Sequence, residues 1–172
     1  MKKSIVLTVI SQDHPGIVET LSETLADHGG NWVESSMLSL AGKFAGILLA
    51  DVPENETEGL IADLAALESK GLQIVAEPCG NVTTSEGASA FCLELIGQDR
   101  PGIVRNITQI LAKHDVNVDE LETQCQEASM SGETLFMAKA HVSIPAETSL
   151  SALRKELENL ANELMVDIKL ER

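Results

Sequence analysis

Gln12-Asp13-His14-Pro15-Gly16-Ile17-Val18 returns 86 positions later as Gln98-Asp99-Arg100-Pro101-Gly102-Ile103-Val104. Residues of these types, at the junction of a strand and a helix, could bind a small zwitterion. The first N–H groups of a helix have no intrahelical partner and carry the positive end of its dipole, so a carboxylate can dock there. Gly16 and Gly102 have no Cβ, which lets a ligand approach the backbone, and Asp13 and Asp99 offer a negative partner for an ammonium group. Together these groups suit the two ends of a free amino acid. Asn31 and Asn117, again 86 apart, stand where the next strand opens, and an amide there can donate and accept in the same pocket. The plainer reading is that Asp13 is an N-cap and Gly16 relieves crowding. Two copies share fold as well as function, so the repeat does not choose between these readings. His14 against Arg100 marks a difference between the copies, in ligand or in occupancy.

Other reactive side chains form no catalytic set. His28 and His114 occupy equivalent positions near a helix C-terminus, where an imidazolium interacts favourably with the dipole. Neither has a second histidine or carboxylate at i+4 on the same face, which argues against a metal site. His141 falls on the mixed face of a strand. Cys79, Cys92 and Cys125 are an odd number without metal-ligand spacing, so neither a disulfide framework nor zinc is expected. No nucleophile and base can be paired, and no phosphate-cradling Gly-rich loop occurs. The expectation is a protein without catalytic residues, metal or cofactor, not an enzyme.

The elements that must carry the loop are read from periodicity. Ser4 to Ile10 is an apolar, β-branched run, hence a buried strand, and the equivalent run from Phe91 to Ile96 lies deep in the chain, which argues against a signal peptide at the N-terminus. A helix follows, with Asp13 as cap, Pro15 in its first turn and Ile17, Val18, Leu21 and Leu25 at helical spacing, stopped by Gly29-Gly30. Trp32 to Leu40 and Phe44 to Val52 flank the turn Ala41-Gly42-Lys43 as a hairpin ended by Pro53. Glu56 to Lys70 is a helix with Leu60, Ile61, Leu64 and Leu67 on one stripe, stopped by Gly71 before a strand at Leu72 to Glu77. The second copy repeats this order over Ser89 to Gly97, Pro101 to His114, Asn117 to Gln126, Gly132 to Ile144, Ser149 to Leu164 and Met165 to Leu170. Its hairpin tip, Glu127 to Glu133, is longer and presents Met130.

The order βαββαβ, twice, predicts two domains, 1–80 and 88–172, joined by a linker from Cys79 to Ser89. Each is an α+β, ferredoxin-like fold, an antiparallel four-stranded sheet with two helices on one face. Phe136, Ala138, Ala140, Val142 and Ile144 alternate onto the inner face of their strand, and Leu135, Met137, Lys139 and His141 onto the other. That outer face and the strand edges invite a sister domain or another chain, so a homo-oligomer is open. The leucines from Leu150 to Leu164 are core, and Glu54, Glu56, Glu58, Asp63 and Glu68 form an acidic helix face that could meet a basic partner.

Twelve Lys and Arg against 27 Asp and Glu leave a net charge of −15, which argues against direct nucleic-acid contact. No segment approaches the ~20 apolar residues of a membrane span, and a reducing cytoplasm fits the cysteines.

The βαββαβ order, the Asp-x-Pro-Gly-Ile-Val helix start and the Asn opening the second strand resemble ACT domains, which are small-molecule sensors. A free-standing, acidic tandem pair of this length further resembles the family of glycine cleavage system transcriptional repressors. The resemblance implies glycine as the amino acid, and repression exerted through a DNA-binding transcriptional regulator as protein partner. It implies ligand-binding roles for Asp13, His14, Gly16, Ile17 and Asn31 and for Asp99, Arg100, Gly102, Ile103 and Asn117, at an interface between two such domains. Trp32 departs from the small aliphatic residue usual after that Asn, which bears on the first pocket's shape. The alternative is an amino-acid-binding module that controls a metabolic enzyme.

Overall fold

The computed structural model of the chain describes residues 1–80 and 86–172, so the middle of the expected linker, 81–85, lies outside the described residues. Ser89 itself opens a strand. The described residues form two compact units, one on each side of that break.

The first unit runs β1 (Lys2–Gln12), α1 (Ile17–Asp27), β2 (Asn31–Leu40), β3 (Lys43–Pro53), α2 (Thr57–Ala66) and β4 (Gln73–Pro78). The second runs β5 (Ser89–Gln98), α3 (Ile103–Lys113), β6 (Asn117–Glu127), β7 (Thr134–Ile144), α4 (Leu150–Leu164) and β8 (Asp167–Glu171). The two sheets are antiparallel, with strand orders β2-β3-β1-β4 and β6-β7-β5-β8. In each unit both helices cover one sheet face, which is the expected ferredoxin-like α+β arrangement.

Period decides what is buried. On β1, Ile5, Leu7 and Val9 alternate into the core, and on α1 Ile17, Leu21 and Leu25 recur every four residues. In α3, Ile103, Ile107 and Leu111 do the same, and Leu153, Leu157, Leu160 and Leu164 line α4. Val18 and Ile61, expected on the apolar stripes, turn outward at 47% and 40% exposure. One residue is 100° of helix rotation, and the stripe spaced by four already fills the contact with the sheet. Each domain has its own core. Among the described residues no helix is long and apolar enough to cross a membrane.

The expected Glu56 to Lys70 helix is α2 framed by two 3₁₀ turns, Glu54–Glu56 and Leu67–Lys70, and Gly71 ends it at φ 84°. The first hairpin turns in two residues, Ala41 (φ 50°) and Gly42 (φ 79°), both left-handed as the strand twist requires, and Lys43 already belongs to β3. In the longer second tip, Ala128 N–H donates to Glu133 O at 2.8 Å, and Met130 is fully exposed.

One helix-to-helix link is duplicated. His28, the C-terminal cap of α1, places Nε2 2.8 Å from Asp63 Oδ2 on α2 and Nδ1 3.3 Å from Glu56 Oε2. His114, the cap of α3, places Nε2 3.2 Å from Glu156 Oε1 on α4, and Lys113 Nζ reaches the same oxygen at 2.8 Å. Hydrogen bonding from Lys113, then from His114, holds the Glu156 carboxyl below its ordinary value against the opposing effect of burial. The hydrogen bond to Asp63 is the main cause that raises the His28 pKa above 6.5; burial opposes it and Glu56 adds to it. A raised folded-state pKa means that this contribution is fully present below pH 6.5 and is lost as pH rises through the folded value. The melting temperature should therefore fall between about pH 6 and pH 8 by an amount that His28→Gln removes, as read by scanning calorimetry of both proteins across that range.

Candidate functional site

β1 delivers the first loop to one end of its sheet. Asp13 N–H donates to Gly42 O at 2.9 Å, fastening the loop to the hairpin turn beside it, and Asp99 N–H donates to Thr134 O at 2.8 Å in the second domain. The helix caps are not the aspartates. Gly16 (φ 94°) and Gly102 (φ 91°) occupy the cap positions, with no side chain bonded over the first turn. Asp13 as N-cap and Pro15 in the first turn are therefore corrected: both precede the cap, because only a residue free to adopt a positive φ completes this junction. The first four N–H groups of each helix thus have no side-chain cap, and the Thr20 and Asn106 N–H groups donate back to Gly16 O and Gly102 O.

Around this dipole end the copies differ. Asp13 accepts from Ser39 Oγ at 2.6 Å, which orients one carboxylate oxygen. Position 125, equivalent to Ser39, is Cys125. His14 is exposed, with Nδ1 2.9 Å from Pro15 O, so that nitrogen carries the proton. Each loop end has one cation close by in the chain, from a different place. In the first domain it is Lys43, paired across the ladder with Gln12, where the second domain has Leu135 opposite Gln98. In the second domain it is Arg100, half-buried, at the position of His14. Ile17 and Ile103 are 2% exposed and face the core, so only their backbone N–H groups can meet a ligand.

The asparagines are not in the same place. Asn31 pairs with Asp51, and Lys43, opposite Gln12, lies eight residues from Asp51 along β3. At ~3.4 Å per residue, Asp13 and Asn31 sit about 27 Å apart, at opposite ends of one sheet. Asn117, opposite Ser143, is equally far from the Asp99 loop. A single domain therefore does not gather all five positions, contrary to the expected common pocket. The cause is topological: β1 rises to the loop, α1 returns, and β2 starts at the far end. Asn117 Nδ2 donates to Asp119 Oδ1 at 2.6 Å, and Ser143 Oγ donates to Asp119 Oδ2 at 2.6 Å. Asn31 has no such partner among the described residues, because the equivalent bulge residue is Val33.

A small apolar pocket of about 20 Å³ opens between α3 and β6 in the second domain, lined among others by Val104, Ile107, Val118, Leu121 and Phe136. It has room for about one water and no charged group, so it does not suit a zwitterion. In the first domain Trp32 stands at the position of Val118 and packs against the core, which accounts for its departure from a small aliphatic residue. Sequence reasoning missed Lys43 and Ser39 as neighbours of the loop. Their signal was the hairpin itself, which returns β3 beside the end of β1.

The glycine conformation is a requirement of the loop whatever binds there. A Cβ on Gly102 would meet nothing within 4 Å, but φ is 91°. Gly102→Ala should cost about 1–3 kcal/mol through backbone strain alone, measurable as a lower urea midpoint with an unchanged slope.

A family model of the ACT domain matches residues 3–77 and 90–171. Across 168 residues the chain is 23% identical to the glycine cleavage system transcriptional repressor of Escherichia coli, covering 95% of this chain and 85% of that protein. A 76-residue stretch is 36% identical to a UPF0237 protein of Methanopyrus kandleri, covering 43% of this chain and 77% of the relative. Among solved structures, an unknown protein from Galdieria sulphuraria superimposes with a TM-score of 0.85 at 30% identity, covering 99% and 98% of the two chains. The crystal structure of a glycine cleavage system transcriptional repressor superimposes with a TM-score of 0.67 at 18% identity, covering 99% and 97%.

Proposed function

The chain belongs to the ACT domain family, and from its two ACT domains in tandem we propose that it is an amino-acid-sensing regulator. The observation that carries this is the duplicated loop, in which an aspartate, an αL glycine cap and an uncapped helix start lie together at the end of each sheet. The uncapped N–H groups suit a carboxylate, with Lys43 or Arg100 at hand, and Asp13 or Asp99 suits an ammonium group. Glycine is the proposed ligand. It presents the two charged ends and no side chain. The full-length likeness to a protein named glycine cleavage system transcriptional repressor supports the same choice.

The regulator acts on transcription through a DNA-binding protein partner and not through DNA, because a net charge of −15 repels phosphates. It works in the cytoplasm as a non-catalytic protein. The mechanism is linkage: glycine favours one arrangement of the protein, the partner binds that arrangement with a different affinity, and each ligand then changes the other's affinity by the same factor. Affinity capture from a cell extract, with and without glycine, tests the reading. Recovery of a DNA-binding regulator in a glycine-dependent amount supports it, and recovery of a metabolic enzyme instead overturns the transcriptional part.

A further inference from the structure

The two domains treat the outer faces of their sheets, the ones without helices, in opposite ways. In the second domain the middle row across four strands reads Glu122, Lys139, Glu94, Lys169, from the registers β6-β7, β5-β7 and β5-β8. Alternating charges across neighbouring strands suit a face in water. The same row in the first domain reads Ser36, Ile47, Thr8, Val75. Around it, Val6, Ile10, Leu38 and Leu49 complete one continuous apolar patch. Ile10, Leu38, Ile47 and Val75 are 48%, 57%, 53% and 58% exposed. Exposed patches of this kind mark interaction sites.

We propose that the outer sheet face of the first domain docks against the same face of a second copy of this chain, forming a two-fold dimer. Charge placement selects this occupant. The acidic residues of the first domain lie mainly on its helices and the turns around them: Glu19, Glu23 and Asp27 in α1, and Glu54, Glu56, Glu58, Asp63 and Glu68 in and beside α2. A basic partner is drawn to that layer. The outer sheet face is instead near neutral at its centre, with Lys43 at one end, and with Glu34 and Glu77 and then Asp51 toward the other. Two copies packed with strands running in opposite directions about the Ile47 row place Lys43, four residues from Ile47 on β3, over Asp51 of the second copy, four residues the other way. With strands running the same way, Glu34 of one copy faces Glu77 of the other, which repels. The self-complementary arrangement is therefore the antiparallel one. Four strands ~4.8 Å apart and rows spanning ~20 Å give a footprint of roughly 300–400 Å² per copy. That is small beside the ~800 Å² per partner of a standard interface, so the dimer is a weak, reversible one with a micromolar dissociation constant.

Sedimentation velocity of the full chain over a concentration series from low micromolar to millimolar tests this. The expected result is a concentration-dependent rise from the 18.4 kDa monomer toward twice that mass. Ile47→Lys combined with Val75→Lys installs residues that the second domain already carries at the same sheet positions, so the fold tolerates them. This variant should weaken association by roughly a hundredfold or more, with circular dichroism confirming an unchanged fold. Lys43→Glu, at an exposed site, should also weaken it, and adding Asp51→Lys should restore it. A wild-type chain that stays monomeric throughout overturns the proposal, as does a dimer indifferent to both the Ile47→Lys/Val75→Lys pair and Lys43→Glu.

Discussion

If the proposed sensing site is right, an Asp13→Ala chain should bind glycine about tenfold to a hundredfold more weakly than the parent, while its unfolding free energy should fall by no more than about 1 kcal/mol. The two halves of that expectation have separate causes. A carboxylate facing an ammonium group forms a charge-assisted hydrogen bond, and removing one partner leaves the other unpaired at the site. For the fold, the carboxylate matters little. Gly16 and not Asp13 holds the cap position, and the side chain's recorded partner is the exposed hydroxyl of Ser39. Were Asp13 an N-cap, truncation would cost up to about 2 kcal/mol, so chemical denaturation and ligand titration of the same variant separate binding from folding. Asp99→Ala asks the same of the second loop, where Arg100 replaces His14 and Cys125 replaces Ser39. If one variant abolishes binding and the other does not, the domains have divided sensing between a working copy and a silent one.

Truncating Leu153 to alanine lowers the stability of the second domain by about 2–5 kcal/mol, a large share of what a domain this size possesses. Leu153 is fully buried on α4, in a core whose cysteine neighbours in the chain, Cys92 and Cys125, are free. Leu153 belongs to one buried cluster with Leu93, Ala140 and Val142, and the cost grows with the volume of the void that this core leaves unfilled. A lower urea midpoint with an unchanged slope checks the size of the effect, and Leu153→Met, which nearly conserves volume, should cost less than about 1.5 kcal/mol.

Periodic features were readable from the chain alone. Ile17, Leu21 and Leu25 announce one helix face, the alternation from Phe136 to Ile144 announces a strand with one inner face, and Gly71 marks a helix end. Each depends only on geometry within a few residues. What sequence reasoning lost depends on placement across the chain. Asn31, as the residue that opens the next strand, reads in sequence as part of the Asp13 pocket, yet the helix returns the chain to the far end of the sheet before β2 begins. Aspartate commonly caps, so Asp13 reads as the N-cap, whereas Gly16 in the αL conformation holds that position. The His28 link to Asp63 crosses 35 residues. It was nevertheless recoverable, since His114 and Glu156 repeat the same pairing in the second copy. The contrast between Ile47 and Lys139 was visible as composition, but its meaning required the strand order that puts four such residues in one row.

The duplicated loop is proposed to bind a free amino acid, and isothermal titration of the purified 172-residue chain with glycine and a panel of other amino acids decides it. The expected result is saturable heat with glycine, with weaker or no heat from amino acids carrying bulky side chains. Absence of heat from every amino acid at millimolar concentration would contradict the account and leave the repeated Asp-x-Pro-Gly loop as a device of the fold alone.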